Sequence, residues 1–311
     1  MRKGMLALAV AAVAGGLWWL QQTRGPKPLP LEDVTARLST PLPAPGGPMA
    51  TYHLGHSLMG RDMPAMLAQL AGHSHSSQLG WGSSLKDHWS GTVAGFDTEN
   101  AHPNHRPAAE AFDSGGYPVV VMTEMVEIRD AIRYHDSARY LTQWAERARK
   151  ARPDVRLYLY ETWHPLTDAE GWLNRLDADL DRYWLGTLVA GAMAVPEVGE
   201  IYIIPGGQVM AATARAIDAG EVPGLTRRED LFGTAADGTP DPIHFNDLGA
   251  YLMALTHYAV IYHRSPVGLP HALTRADGSP VTPIAPETAA ALQKLVWDTV
   301  SGYALTGVSG G

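Results

Sequence analysis

"MATYHLGHSLMGRDMPAMLAQLAG", residues 49–72, decides the fold. Its first part, Met49 to Leu54, is a short strand-like run. From Met63 the period changes, and Met63, Met66, Leu67 and Leu70 recur at the spacing of a helix. Between the two lies "GHSL", Gly55 to Leu58. A strand that leads through a brief loop into a helix is the first half of a βαβ unit, and the rest of the chain repeats the alternation. "YPVVVMTEM" (117–125) is a valine-rich strand announced by Gly115 and Gly116. "SARYLTQWAERARKA" (137–151) has Ser137 as N-cap and Pro153 just beyond its end, so it reads as a helix. "VRLYLYET" (155–162) and "EIYIIPGG" (200–207) are further strands, a helix follows over 208–220, and "SSQLGWG" (76–82) is a weaker strand. Crossovers of more than a dozen residues require parallel pairing, and a parallel sheet must be covered on both faces. The pattern predicts an α/β fold.

In such sheets ligand-binding groups collect in loops at the carboxyl ends of the strands. Ser57 occupies such a place, and the start of the next helix points backbone N–H groups toward it. A serine nucleophile needs a base. Of the 13 histidines one stands apart: "PDPIHFNDLGAYLMALTHYAVIY" (240–262) sets Asp241 three residues before His244, in a predicted loop ahead of a helix for which Asn246 or Asp247 is the N-cap. A carboxylate at that spacing can accept the ring's Nδ1–H, fixing the tautomer and leaving Nε2 free for the serine proton. The competing reading is that Asp241 and His244 form a turn and cap the helix.

Together these two segments resemble the SGNH hydrolases, also called GDSL-like esterases and lipases, over Met49 to Tyr262. "GHSL" is similar to that family's first block, and "DPIHFNDLGAYL" (241–252) carries its Asp, His, following Asn and Gly. The resemblance implies a three-layer α/β/α sandwich around a five-stranded parallel sheet in flavodoxin-like order. It also implies Ser57 as nucleophile, His244 as general base and later acid, and Asp241 as the orienting carboxylate. The nucleophile elbow of the α/β-hydrolases is excluded, because Gly-x-Ser-x-Gly would need glycine where Met59 stands. For the oxyanion hole the family supplies the serine N–H, a glycine N–H after the second strand and an asparagine after the third. Ser57 and Gly82 fill the first two places. The asparagine is missing: Thr123 offers a hydroxyl instead, and Glu124 and Glu127 would repel an oxyanion unless protonated or turned away.

Composition bounds the partners. A net charge of -8 without a basic stripe argues against nucleic acid. The absence of cysteine removes disulfides, thiolate metal sites and a thiol nucleophile. Arg2 and Lys3 precede a 17-residue uncharged run, Gly4 to Leu20, which reads as an export signal or a membrane anchor over residues 1–23. Residues 24–48 contain seven prolines and read as a spacer, with one helical turn at Leu31 to Leu38. The hydrolase-like domain then fills 49–311, ending in a helical extension at 286–300.

Two clusters remain. Lys86, His88, Trp89 and Trp163 are candidate substrate contacts, and with Trp81 and Tyr160 they offer aromatic faces suited to sugar rings. His73, His75, His102 and His105 are spaced too loosely for a metal centre to be expected, and no cofactor is implied. The sequence therefore predicts an exported or membrane-tethered serine esterase acting on small acyl esters, acetyl groups on carbohydrate foremost among them. An acyltransferase and a non-catalytic envelope or glycan-binding protein on the same scaffold are the alternatives.

Overall fold

A computed structural model describes residues 26–235 and 237–308. The expected leader or anchor at 1–23 lies outside the described residues. Among them no helix is long and apolar enough to cross a membrane.

Five strands form a parallel sheet in the order β2-β1-β3-β4-β5: β1 Thr51–His56, β2 His75–Gly80, β3 Val119–Met122, β4 Arg156–Glu161 and β5 Ile201–Pro205. This is the flavodoxin-like order, and helices cover both faces. On one lie α2 (Asp62–Ala71), α7 (Gly206–Asp218), α8 (Asp247–Tyr262) and α9 (Pro286–Gly302). On the other lie α3 (Leu85–Ser90), α4 (Ile128–His135), α5 (Ser137–Ala151) and α6 (Trp172–Asp179), which runs on through a π-helical stretch, Leu180–Val189. Residues of β1, β3 and β5 are buried along their whole length, as strands covered on both faces must be. A separate antiparallel ribbon, β6 (Phe232–Thr234) and β7 (Pro240–Phe245), sits ahead of α8.

Three expectations change. The segment 26–48 is no free spacer: α1 (Leu31–Leu38) buries Val34 and Leu38 completely, Leu29 N–H donates to the Ala190 carbonyl, and Arg37 pairs with Glu200 at 2.9 Å. The prolines block ladders but leave apolar side chains free to pack, and two turns of amphipathic helix suffice to do so. The strand expected at 117–125 is confined to Val119–Met122, the residues that pair with Thr51–Leu54 of β1 and Arg156–Leu159 of β4. Asp241 and His244 lie on β7 and not in a loop.

Gly55, the first residue of "GHSL", is closely packed. A Cβ there would come within 2.6 Å of the methyl carbon of Thr123, just past β3, so a larger residue would force that side chain or the backbone to shift.

Candidate active site

β1 delivers Ser57 to the carboxyl edge of the sheet, one residue beyond His56. Across from it, β7 delivers His244. The ring Nε2 lies 3.0 Å from Ser57 Oγ, and Nδ1 lies 2.9 Å from Asp241 Oδ2. Because the carboxylate only accepts, Nδ1 carries the proton and Nε2 is free to accept from the hydroxyl.

Each member is held from behind. Asp241 Oδ1 accepts the backbone N–H groups of Ile243 at 2.9 Å and His244 at 2.8 Å. Partial burial pushes its carboxyl upward, but those two N–H groups and the His244 ring outweigh it and keep the pKa below the usual carboxylate range. β7 is clamped by the Trp163 indole, whose N–H donates to the Ile243 carbonyl at 2.8 Å, and by Leu166 N–H on Pro242. Just past it, Asn246 caps α8 by accepting from Leu248 and Gly249, while its amide donates to the carbonyls of Asp230 and Phe232. The His244 side chain is 48% exposed, so water reaches the site.

His56, next to the serine, is buried and points away from it. Its Nε2–H donates to the Glu124 carbonyl at 2.8 Å, and Nδ1 accepts from Leu58 N–H at 3.3 Å. Burial is the main cause that lowers its pKa to about 4, opposed by the Glu124 carbonyl, so the ring is a neutral strut across the turn that carries Ser57. The Glu124 carboxyl is also buried and turned aside. Oε1 accepts from Leu85 and Met125, while Oε2, directed toward Ser137, has no partner at bonding distance. Burial raises its pKa to about 7.

Other expected contacts lie elsewhere. Thr123 gives its hydroxyl to the Tyr160 carbonyl at 2.7 Å and is fully buried, so it cannot face an oxyanion. His88 is buried, with Nε2 on the Gly55 carbonyl and Nδ1 on Gln78, and holds β1 and β2 together. Trp89 packs edge-on against Trp144 on α5 under Arg147, on the outer helical layer. Lys86 reaches the Tyr134 carbonyl at 3.4 Å. Trp163 is buried and acts as the clamp described above. Gly82 is exposed in the left-handed region (φ +55) with nothing near where a Cβ would lie, so its N–H stands in an open loop after β2.

Among the described residues the group nearest to metal-binding geometry is Glu127, His164 and Asp168. Arg175 already occupies it, donating to Asp168 at 3.0 Å and Glu127 at 3.2 Å, and His164 pairs with Asp179 at 3.0 Å. The guanidinium fills the place a cation would take. His73, from the looser cluster, is engaged by Thr51 and the Tyr262 hydroxyl.

The roles of Trp163, Phe245 and His56 are the ones sequence reasoning missed. Each acts through a backbone carbonyl or a ring contact, which no motif encodes, although the aromatic between His244 and Asn246 was a usable hint: the Phe245 ring packs on Trp163 at 5.8 Å.

No protein-family model matches the chain, and no curated protein matches it. Among solved structures, a candidate GDSL-like lipase from Parabacteroides merdae aligns at 11% identity with a TM-score of 0.41, covering 69% of this chain and 96% of that one.

Proposed function

We propose that the protein is an SGNH-type serine esterase, exported or tethered by its N-terminal segment, that removes small acyl groups, chiefly acetyl from carbohydrate. The observation that carries this reading is the continuous hydrogen-bonded chain from Ser57 Oγ through His244 to Asp241 at the mouth of a parallel sheet. In it, Ser57 Oγ attacks the acyl carbon while its proton passes to His244 Nε2. Asp241 holds the ring and stabilises the imidazolium. The tetrahedral adduct, its oxyanion received by the N–H groups of Ser57 and Gly82, collapses to the acyl-enzyme as His244 protonates the departing alcohol. Water, deprotonated by His244, then attacks the acyl carbon and releases the acid and the free serine.

Export rests on the uncharged run at residues 4–20. Transfer to a sugar hydroxyl uses the same steps with another acceptor, and the open site at His244 favours water. A non-catalytic scaffold draws its support from Thr123, whose hydroxyl is unavailable as a third donor. A fluorophosphonate probe tests the proposal. Labelling of the wild type that vanishes in Ser57→Ala supports it, and an unlabelled wild type that hydrolyses no p-nitrophenyl acetate refutes both enzyme readings.

A further inference from the structure

β1 and β2 end together, with His56 opposite Gly80, so Ser57 and Trp81 are the first residues beyond the two paired strand ends. Its ring is 56% exposed yet fixed. The indole N–H donates to Glu99 Oε1 at 2.8 Å, and one part of the ring rests on Gly95, where a Cβ would come within 2.3 Å of it. Gly95 also has φ +65, so both its conformation and its missing side chain serve to seat the tryptophan. A large aromatic that is held rigid while half of it stays in water forgoes burial it could have had, and such surfaces mark binding sites.

Beyond Glu99 opens a cavity of about 380 Å³, lined among others by Arg61, Asp62, Glu99, His102 and Arg275. This lies within the roughly 300–1,000 Å³ of small-molecule sites. Its walls are set: Asp62 accepts Ala276 N–H at 2.9 Å, and Arg275 is gripped by both oxygens of Asp247. Binding capacity remains on two side chains: Arg61 gives one N–H to the Thr98 carbonyl and stands 3.9 Å from Glu99 Oε2. A donor and an acceptor thus both line the cavity, and through Glu99 it adjoins an aromatic face whose partial negative charge attracts the axial C–H groups of a pyranose. An acyl chain would want an apolar lining, and Asp62, Glu99 and Asp277 would repel a phosphate backbone.

We infer that this region is a glycan subsite, in which one pyranose ring stacks on Trp81 and the adjoining unit is hydrogen-bonded by Arg61 and Glu99. The inference rests on the esterase reading, of which it specifies the alcohol side. Calorimetric titration of the full chain with xylotetraose, cellotetraose and chitotetraose tests it without turnover. Binding of at least one is expected. Trp81→Ala should weaken it by about tenfold or more, while Trp81→Phe, which keeps an aromatic face, should hold within about threefold. Thermal melts confirm that both variants fold. Binding of none of the three, or equal binding by Trp81→Ala, overturns the inference. A protein that binds sugar but fails to label with fluorophosphonate keeps the subsite and loses the esterase, whereas a labelled protein blind to sugar does the reverse.

Discussion

His56 Nε2 lies 2.8 Å from the Glu124 carbonyl oxygen, and that bond ties the turn carrying Ser57 to the end of β3. The tautomer is thereby set, since Nε2 must carry the proton and Nδ1 accepts from Leu58. Long-range ¹H–¹⁵N spectra should show a neutral Nε2–H ring at pH 6, where a free histidine is mostly protonated. His56→Leu, which leaves the carbonyl and the Leu58 N–H unpartnered, should cost about 2–4 kcal/mol by chemical denaturation. A charged ring at pH 6, or a variant as stable as wild type, would contradict this account.

Asp241→Asn keeps an oxygen for the Ile243 and His244 N–H groups, so the fold should survive with little change in melting temperature. Its amide can instead donate to Nδ1, which favours the wrong tautomer. Turnover of p-nitrophenyl acetate should fall by about 10³–10⁴ with KM nearly unchanged. A loss below tenfold would show that the carboxylate does not orient the ring.

Glu124→Gln tests the buried acid. A carboxyl whose folded pKa is raised contributes most below the unfolded value near 4.5, and that contribution is lost as pH rises toward about 7. The amide can still accept from Leu85 and Met125 and can offer its NH₂ to Ser137, without ionising. The variant should therefore melt higher than wild type at pH 8.5 and no higher at pH 5. Glu124→Ala should melt lower at both. A Gln variant less stable than wild type at pH 8.5 would mean that the anion has partners not seen here.

The buried histidines set an acid limit. His56, His73, His75, His88, His257 and His263 are lowered to about 4, chiefly by burial, and burial also holds His53 well below its usual value. Unfolded, each binds a proton near 6.5, so stability is full above that value and is lost as pH falls from about 6.5 toward 4. Glu124 and Glu161, raised by burial to about 7 and about 8, work the other way, losing stability as pH rises from about 4.5. Seven histidines against two carboxyls make acidification the stronger effect. Scanning calorimetry should show a fall of about 10 °C or more between pH 7 and pH 5, at roughly 2–4 °C per kcal/mol. A flat profile would show that the imidazoles find partners when charged.

Val34→Ala with Leu38→Ala examines the docked N-terminal segment. Both side chains are fully buried, so the pair should cost about 3–6 kcal/mol. A melting temperature within 2 °C of wild type would restore the segment to the role of a spacer.

The sheet was legible because its strands are apolar runs separated by helical periods: α5 spans Ser137–Ala151, the stretch its spacing and the following proline delimit, although Asp136 and not Ser137 is its N-cap. Asp241 and His244 were legible because a three-residue spacing is a local geometry. What failed was long-range. Nothing in "MTEM" says that Thr123 will bond Tyr160 across a strand, and nothing in "DHWS" says that His88 will be spent on the Gly55 carbonyl. Buried polar side chains are committed by tertiary neighbours, so their residue type suggests chemistry that their partners have already taken. The N-terminal segment failed for a related reason: proline density reports backbone freedom and is silent about where Val34 and Leu38 find a core.

That segment also sets an orientation. It is bound at the Ala190 carbonyl, where the crossover helix returns toward the start of β5, at Glu200 just before that strand, and through Pro43 at Arg156, the first residue of β4. These are the amino ends of the strands, whereas Ser57 stands beyond a carboxyl end. A protein attached to a bead or chip immediately before Pro26 would thus present Ser57 to the flowing solution, with the height of the sheet between the reactive hydroxyl and the support.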